Sequence, residues 1–125
     1  MDVYEALTRE LGANRVLRGP EAVAPYARDE SGLGVYPPDA AVRCRSRAEV
    51  ELVLRFAAAH KIPVTPRGTG SGMTGGALPI RGGIVLSTEE MKRIVSIDTD
   101  DRVAVIEPGV INADLQTAVE AQGLF

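Results

Sequence analysis

Five of the nine residues at 68–76 are glycine, and no other stretch limits the possible folds of this chain so strongly. Each glycine forfeits backbone entropy and offers no side chain to pack, which excludes the segment from a regular helix and from a central strand. It is a loop, and it follows the short apolar run at residues 62–65. Its backbone N–H groups have no Cβ in the way. They alternate with the hydroxyls of Thr69, Ser71 and Thr74 and follow the fixed charge of Arg67. Rows of amide donors form anion-binding concavities, so this surface suits a phosphate or a pyrophosphate. A purely structural turn is the plain alternative, and the density of glycines and hydroxyls favours the anion.

The run Gly70-Ser71-Gly72-Met73-Thr74-Gly75 also matches G-x-G-x-x-G, the dinucleotide fingerprint of Rossmann domains. That motif needs a helix to start within the glycines and an acidic residue about 20 positions on. Here the chain continues Ala77-Leu78-Pro79-Ile80-Arg81-Gly82-Gly83, which cannot propagate a helix. A Walker A loop is excluded as well, because no Lys-Ser or Lys-Thr pair closes the run.

At 125 residues the chain has the size of one domain and can bury roughly 65–70% of its unfolded surface. A net charge of −3, with no basic block and no series of stacking aromatics, excludes nucleic acid as a partner class. The lone Cys44 permits no intramolecular disulfide and fits a reducing compartment as a buried strand thiol. No apolar run approaches the roughly 18 residues of a membrane span, and the start Met1-Asp2-Val3-Tyr4-Glu5 is acidic where a signal peptide is basic. A soluble, cytoplasmic chain is expected. One His and one Cys leave no metal constellation.

Asp2 caps an expected helix running to about Leu11, with Val3, Leu7 and Leu11 on one face and Gly12 as its stop. Residues 15–18 read as a short extended piece, Pro20 opens a helical turn through Tyr26, and residues 28–38 read as a surface loop. A strand at residues 40–44 precedes Ser46-Arg47-Ala48-Glu49, which has capping-box spacing. The helix that follows places Val50, Val53, Leu54, Ala57 and Ala58 on one face, with His60 and Lys61 at its cation-favouring end. With a second strand at 62–65, residues 40–65 form a β-α-β unit with a right-handed crossover. The glycine loop then lies at the carboxyl end of a parallel strand, the edge where open α/β sheets bind ligands.

Three β-rich runs follow, at residues 83–87, 94–97 and 102–106, and are expected to form a small mixed sheet. Asp98-Thr99-Asp100-Asp101 makes a hairpin turn between the last two. A helix at 112–122 turns Leu115, Ala118 and Val119 inward and stops at Gly123. The turn Pro108-Gly109 before it is a second candidate for close approach to a ligand, or an ordinary strand-to-helix connection. The acidic groups Asp29-Glu30, Glu89-Glu90 and Asp98-Asp100-Asp101 read as solvated faces. Leu124-Phe125 resembles the opening of another strand, so these residues are expected to be the first part of a longer protein.

Taken together, these motifs resemble the flavin-dependent oxidases and dehydrogenases with a vanillyl-alcohol-oxidase (PCMH) type FAD-binding domain, and most of all the FAD subunit of glycolate oxidase and the D-lactate dehydrogenases. The resemblance rests on Tyr26-Ala27-Arg28-Asp29-Glu30-Ser31, Pro38-Asp39-Ala40 and the helix after Ser46. It continues through Pro63-Val64-Thr65-Pro66-Arg67-Gly68-Thr69-Gly70-Ser71-Gly72, Gly75-Gly76-Ala77-Leu78-Pro79 and Glu107-Pro108-Gly109-Val110.

It implies an α/β (α+β) fold: the first subdomain of such a domain, a β-α-β unit plus a small mixed sheet with flanking helices. Residues 1–38 would be an N-terminal helix and lead-in loop, and residues 39–125 the first part of the FAD-binding domain, truncated before its second half and the substrate domain. The implied reaction is oxidation of a 2-hydroxy acid of glycolate or D-lactate type to a 2-oxo acid, with no complete active site and no catalytic residue in these residues. The alternative is a free-standing nucleotide- or anion-binding module without redox activity.

The implied cofactor contacts are Pro66, Arg67, Gly68, Thr69, Gly70, Ser71, Gly72, Met73, Gly75 and Gly76, with Pro108 and Gly109. Within that set the diphosphate is expected on Gly68, Thr69, Gly70, Ser71, Gly72 and Gly76. Met73 is expected to pack beneath the loop. Arg67 either neutralises phosphate or fixes the loop through backbone carbonyls, the second being favoured by the reliance of such loops on amides. Residues 66–76 contain no His, Cys or Tyr, so FAD is expected to be noncovalent. Further oxidase subunits, iron–sulfur ones among them, and a peripheral membrane position through them, are also implied.

Overall fold

The computed structural model describes residues 2–125. Helix α1 (Val3–Leu11) is capped by Asp2, whose carboxylate accepts from the Tyr4 amide at 2.9 Å. Leu7 is fully buried beneath it with Tyr4, while Val3 and Leu11 are only half-buried. The extended piece expected at 15–18 is strand β1 (Val16–Leu17), and Pro20 opens α2 (Pro20–Val23), followed by a 3-10 turn at Ala24–Tyr26. Strand β2 (Ala40–Arg43) leads into α3 (Arg47–His60), where the Ser46 hydroxyl accepts from the Glu49 amide at 3.2 Å.

The reciprocal half of the capping box is absent. The Glu49 carboxylate instead accepts from the Arg45 amide at 2.7 Å and from Arg15 Nη1 at 2.6 Å, tying the start of α3 to the residue before β1. The buried face of α3 is also rotated from the expected one. Val53 and Ala57 are buried and Val50, Leu52 and Phe56 half-buried, whereas Leu54 is 47% exposed and Ala58 is exposed. A 3.6-residue period locates a stripe, but its edges are set by which neighbours the helix meets.

Strands β3 (Val64–Arg67) and β4 (Ile84–Ser87) complete a four-stranded mixed sheet in the order β1-β2-β4-β3. β2 and β3 are both parallel to β4, and β1 is antiparallel to β2. β3 thus extends two residues beyond the expected run and takes in Pro66 and Arg67. Its place at the edge of the sheet tolerates the missing amide of Pro66. β4, buried along its whole length, inserts between the two strands of the β-α-β unit. A run apolar on both faces is what a central parallel strand requires.

The first of the three late β runs therefore belongs to this sheet. The other two, β5 (Ile94–Asp98) and β6 (Val103–Ile106), form a separate antiparallel pair, contrary to the expectation that all three share one sheet. Asp98 closes their turn by accepting from the amides of Asp100 and Asp101, each at 2.9 Å. Helix α4 (Asn112–Glu120) is two residues shorter than expected, and none of its residues is buried.

The sheet has two faces. Val42, Ile84 and Leu86 pack with Tyr4, Leu7, Val53 and Ala57 under α1 and α3, while Ala41 and Val85 pack against Tyr26 on the other side. Fully burying one such aliphatic side chain contributes about 1.5–3 kcal/mol. The layer under Tyr26 is thin, and Tyr26 continues from it towards the glycine loop.

Candidate functional site

β2, β3 and β4 end at one edge, and the glycine loop leaves that edge after Arg67. The Arg67 carbonyl accepts from the Thr88 amide at 2.9 Å, which fastens the loop's root to the turn after β4. That turn closes with the Met91 amide donating to the Thr88 carbonyl at 2.9 Å. Gly109 then packs on it. Its amide donates to the Met91 carbonyl at 2.8 Å, and a Cβ on Gly109 would overlap the Thr88 carbonyl oxygen. Only glycine permits so close an approach.

This contact brings Pro108, Gly109 and Val110 beside the loop, the two stretches that the sequence offers as separate candidates. With Pro66, Arg67, Gly68, Thr69, Gly70, Ser71, Gly72, Thr74, Gly76 and Ala77 they line a cleft of about 410 Å³. Met73 and Gly75 stay outside it. Met73 does not pack beneath the loop; it is 77% exposed. A Cβ on Gly75 would stand 2.9 Å from Leu33 Cδ1, on the side away from the cleft lining.

Among the described residues, the amides of residues 68–74 donate to no protein acceptor. A Cβ built on Gly68, Gly72 or Gly76 meets no atom within 4 Å. The Thr69 and Ser71 hydroxyls lie 3.5 Å apart and are exposed. The loop therefore keeps free donors around open space, which is what a diphosphate needs from a backbone nest. Residues of this kind fit the phosphates of a dinucleotide cofactor. Arg67 is the one ionisable side chain among the lining residues, so most of the anion's partners would be dipoles.

Arg67 itself faces away from that role. Its Nη1 donates to the Arg28 carbonyl at 2.6 Å and its Nη2 to the Pro25 carbonyl at 3.1 Å, and its Cζ lies 5.7 Å from the centre of the Tyr26 ring. The Tyr26 hydroxyl donates to Glu89. Burial, then the hydrogen bond to Glu89, pushes the Tyr26 phenol well above its ordinary range.

Two of the acidic groups read as solvated faces are engaged here. Glu89 receives Tyr26, and Glu90 accepts from Arg45 Nε at 2.7 Å, a bond that holds the Glu90 carboxyl below its usual value. The Asp29 carboxyl is likewise held low, first by the Ser31 hydroxyl. Tyr26, Thr88 and Glu89 are the neighbours of the loop that sequence reasoning missed. The one available signal concerned Thr88 and Glu89, which directly follow the apolar run of β4, whereas Tyr26 sits in the 3-10 turn after α2.

Outside this edge the chemistry is sparse. His60 donates from Nδ1 to the Phe56 carbonyl at 2.9 Å at the end of α3, and Cys44 is buried. Among the described residues no cluster of His, Cys, Asp and Glu could hold a metal ion, and no helix is long and apolar enough to cross a membrane.

Comparison with known proteins agrees with the geometry. Residues 38–125 match the model of a family described as FAD binding domain. The glycolate oxidase subunit GlcD of Bacillus subtilis is 40% identical over 124 residues, covering 99% of this chain and 26% of that protein. The D-lactate dehydrogenase of Anaerostipes hadrus is 37% identical, covering 94% and 25%. The chain spans about a quarter of the length of these relatives. Among solved structures, p-cresol methylhydroxylase with substrate bound superposes with a TM-score of 0.85 at 26% identity, over 98% of this chain and 24% of the other. With the bare amides, the open glycines and this match together, the chain belongs to the FAD binding domain family of the p-cresol-methylhydroxylase type, and its cofactor is FAD.

Proposed function

We propose that this chain is the diphosphate-seating part of a flavoprotein that oxidises a 2-hydroxy acid to a 2-oxo acid, and that it is inactive without the rest of such a protein. The observation that carries the proposal is the cleft between the glycine loop and Pro108-Gly109-Val110, with its unengaged amides. Gly68, Thr69, Gly70, Ser71, Gly72 and Gly76 hold the diphosphate, with Pro66, Pro108 and Gly109 forming the cleft walls. The named relatives that support the substrate class, a glycolate oxidase subunit and a D-lactate dehydrogenase, bear names of enzymes for small 2-hydroxy acids.

The chemistry that FAD supplies when bound is acceptance of a hydride equivalent from the carbon bearing the hydroxyl. This chain's residues bind and orient. The lining side chains include no carboxylate or imidazole to take the hydroxyl proton, so the proposal gives this segment no proton transfer. They also include no Cys, His or Tyr, in keeping with noncovalent FAD. Further subunits of the oxidase, iron–sulfur ones among them, are part of the same proposal.

The test is titration with FAD, ATP and inorganic phosphate, followed by anaerobic addition of glycolate or D-lactate to the full-length flavoprotein. Ligand at 100 times its dissociation constant raises stability by about 2.7 kcal/mol. The expected result is stabilisation by FAD above ATP and phosphate, and bleaching of the yellow colour by the hydroxy acid. Stabilisation by ATP or phosphate without a preference for FAD would overturn the reading in favour of a plain anion-binding module.

A further inference from the structure

Besides the tie of its root to Thr88, the glycine loop is held by two contacts that run to one and the same segment. The Gly72 carbonyl accepts from the Glu30 amide at 3.0 Å. The Arg67 guanidinium bridges back to the Pro25 and Arg28 carbonyls, over the face of Tyr26. A cation against an aromatic face is attracted by the ring quadrupole, and Glu89 fixes that ring through its hydroxyl. The guanidinium also occupies the place of a Gly70 side chain. A Cβ on Gly70, where φ is +79°, would overlap Arg67 Nη2 and stand 2.9 Å from its Nε. Pro25, Arg28 and Glu30 lie outside the residues that match the family model, 38–125.

We propose that Arg67 is a positioning residue, a clamp that orders the amides of residues 68–72 before FAD arrives, and that the segment at residues 25–30 is thereby part of the cofactor site. The proposal rests on the FAD-seating reading above. Both terminal nitrogens of Arg67 donate to carbonyls, and in this proposal its contribution is the geometry those two bonds impose on the loop. Gly70 is glycine both because its φ of +79° is one that L side chains rarely adopt and because the guanidinium takes the place of its Cβ. A loop with five glycines loses much backbone entropy on ordering, and an arrangement made in the empty state removes that loss from the binding step. Lysine cannot replace the clamp, because an ammonium lacks the planar fork that spans two carbonyls.

The experiment compares Arg67→Lys, Arg67→Met and Gly70→Ala with the parent full-length flavoprotein. It measures the FAD dissociation constant at several ionic strengths, with circular dichroism of the apoprotein as the check on folding. All three variants are expected to weaken FAD binding by about tenfold or more, to leave the slope of affinity against salt at the parental value, and to recover the parental flavin spectrum at saturating FAD.

Parental affinity in Arg67→Lys, or a shallower salt dependence in Arg67→Met, would show a charge acting on phosphate and overturn the clamp. If the Arg67 variants fail to fold, Gly70→Ala decides, since it evicts the guanidinium and keeps the charge; parental affinity there would also overturn the clamp. A parent protein that binds no FAD would instead overturn the functional reading, and the clamp with it.

Discussion

The Tyr4 hydroxyl donates to Asp39 Oδ2 at 3.1 Å, and the same oxygen accepts from the Gly83 amide at 3.0 Å. One carboxylate thus joins α1 to the chain entering β2 and β4, at the sheet edge opposite the glycine loop. Burial, then the negative charge of Asp39, pushes the Tyr4 phenol up to about 12 from an ordinary value of 10.0. A phenol whose folded value is raised holds its proton more tightly in the folded state. Its contribution is complete below pH 10 and is lost as pH rises towards about 12. Stability measured by urea unfolding between those values should fall in the parent and fall less in Tyr4→Phe. Parallel profiles would show that this pair does not govern alkaline unfolding.

Gly109→Ala should destabilise the chain by about 1–3 kcal/mol, the range for forcing an extra carbon into packed surroundings. The added Cβ overlaps the Thr88 carbonyl oxygen and lies 2.8 Å from that of Met91. Because Gly109 seats one wall of the cleft, FAD affinity should drop in parallel. Equilibrium unfolding and flavin titration check the two effects, and an unchanged unfolding curve would contradict the packing described here.

Cys44 should resist thiol reagents in the folded state. It is fully buried, and burial, reinforced by the charge of Glu49, pushes its thiol up to about 11. The thiolate is the reactive species, so labelling at neutral pH should require unfolding. Rapid labelling of native protein, followed by mass spectrometry, would refute the burial of this strand end.

Ser46→Ala should cost about 1 kcal/mol through loss of the α3 cap. The hydroxyl accepts from the Glu49 amide and touches nothing at the loop. Thermal unfolding should therefore shift while the FAD dissociation constant holds. A change in FAD affinity would mean that α3 and the glycine loop are coupled more tightly than their separation implies.

What could be read in advance was what depends on neighbours in the chain. Asp2 and Ser46 announce helix starts, the polar run at residues 98–101 announces a hairpin, and the glycines announce a loop of bare amides after a parallel strand. What could not be read was pairing between distant residues. Nothing local says that β4 inserts between β2 and β3, that α3 rolls Leu54 into water, that Met73 points outward, or that Glu89 receives a tyrosine 63 positions earlier.

The sequence by itself determined a loop of bare amides after a strand of a β-α-β unit, because amide exposure follows from glycine spacing and element type from hydrophobic period. Only the tertiary structure decided that Pro108-Gly109 forms the opposite wall and that Arg67, at the root of the cleft, directs its guanidinium to the Pro25 and Arg28 carbonyls. Both outcomes depend on close approaches, Gly109 on Thr88 and Gly70 on Arg67, which arise when separate segments meet and leave no room for a side chain.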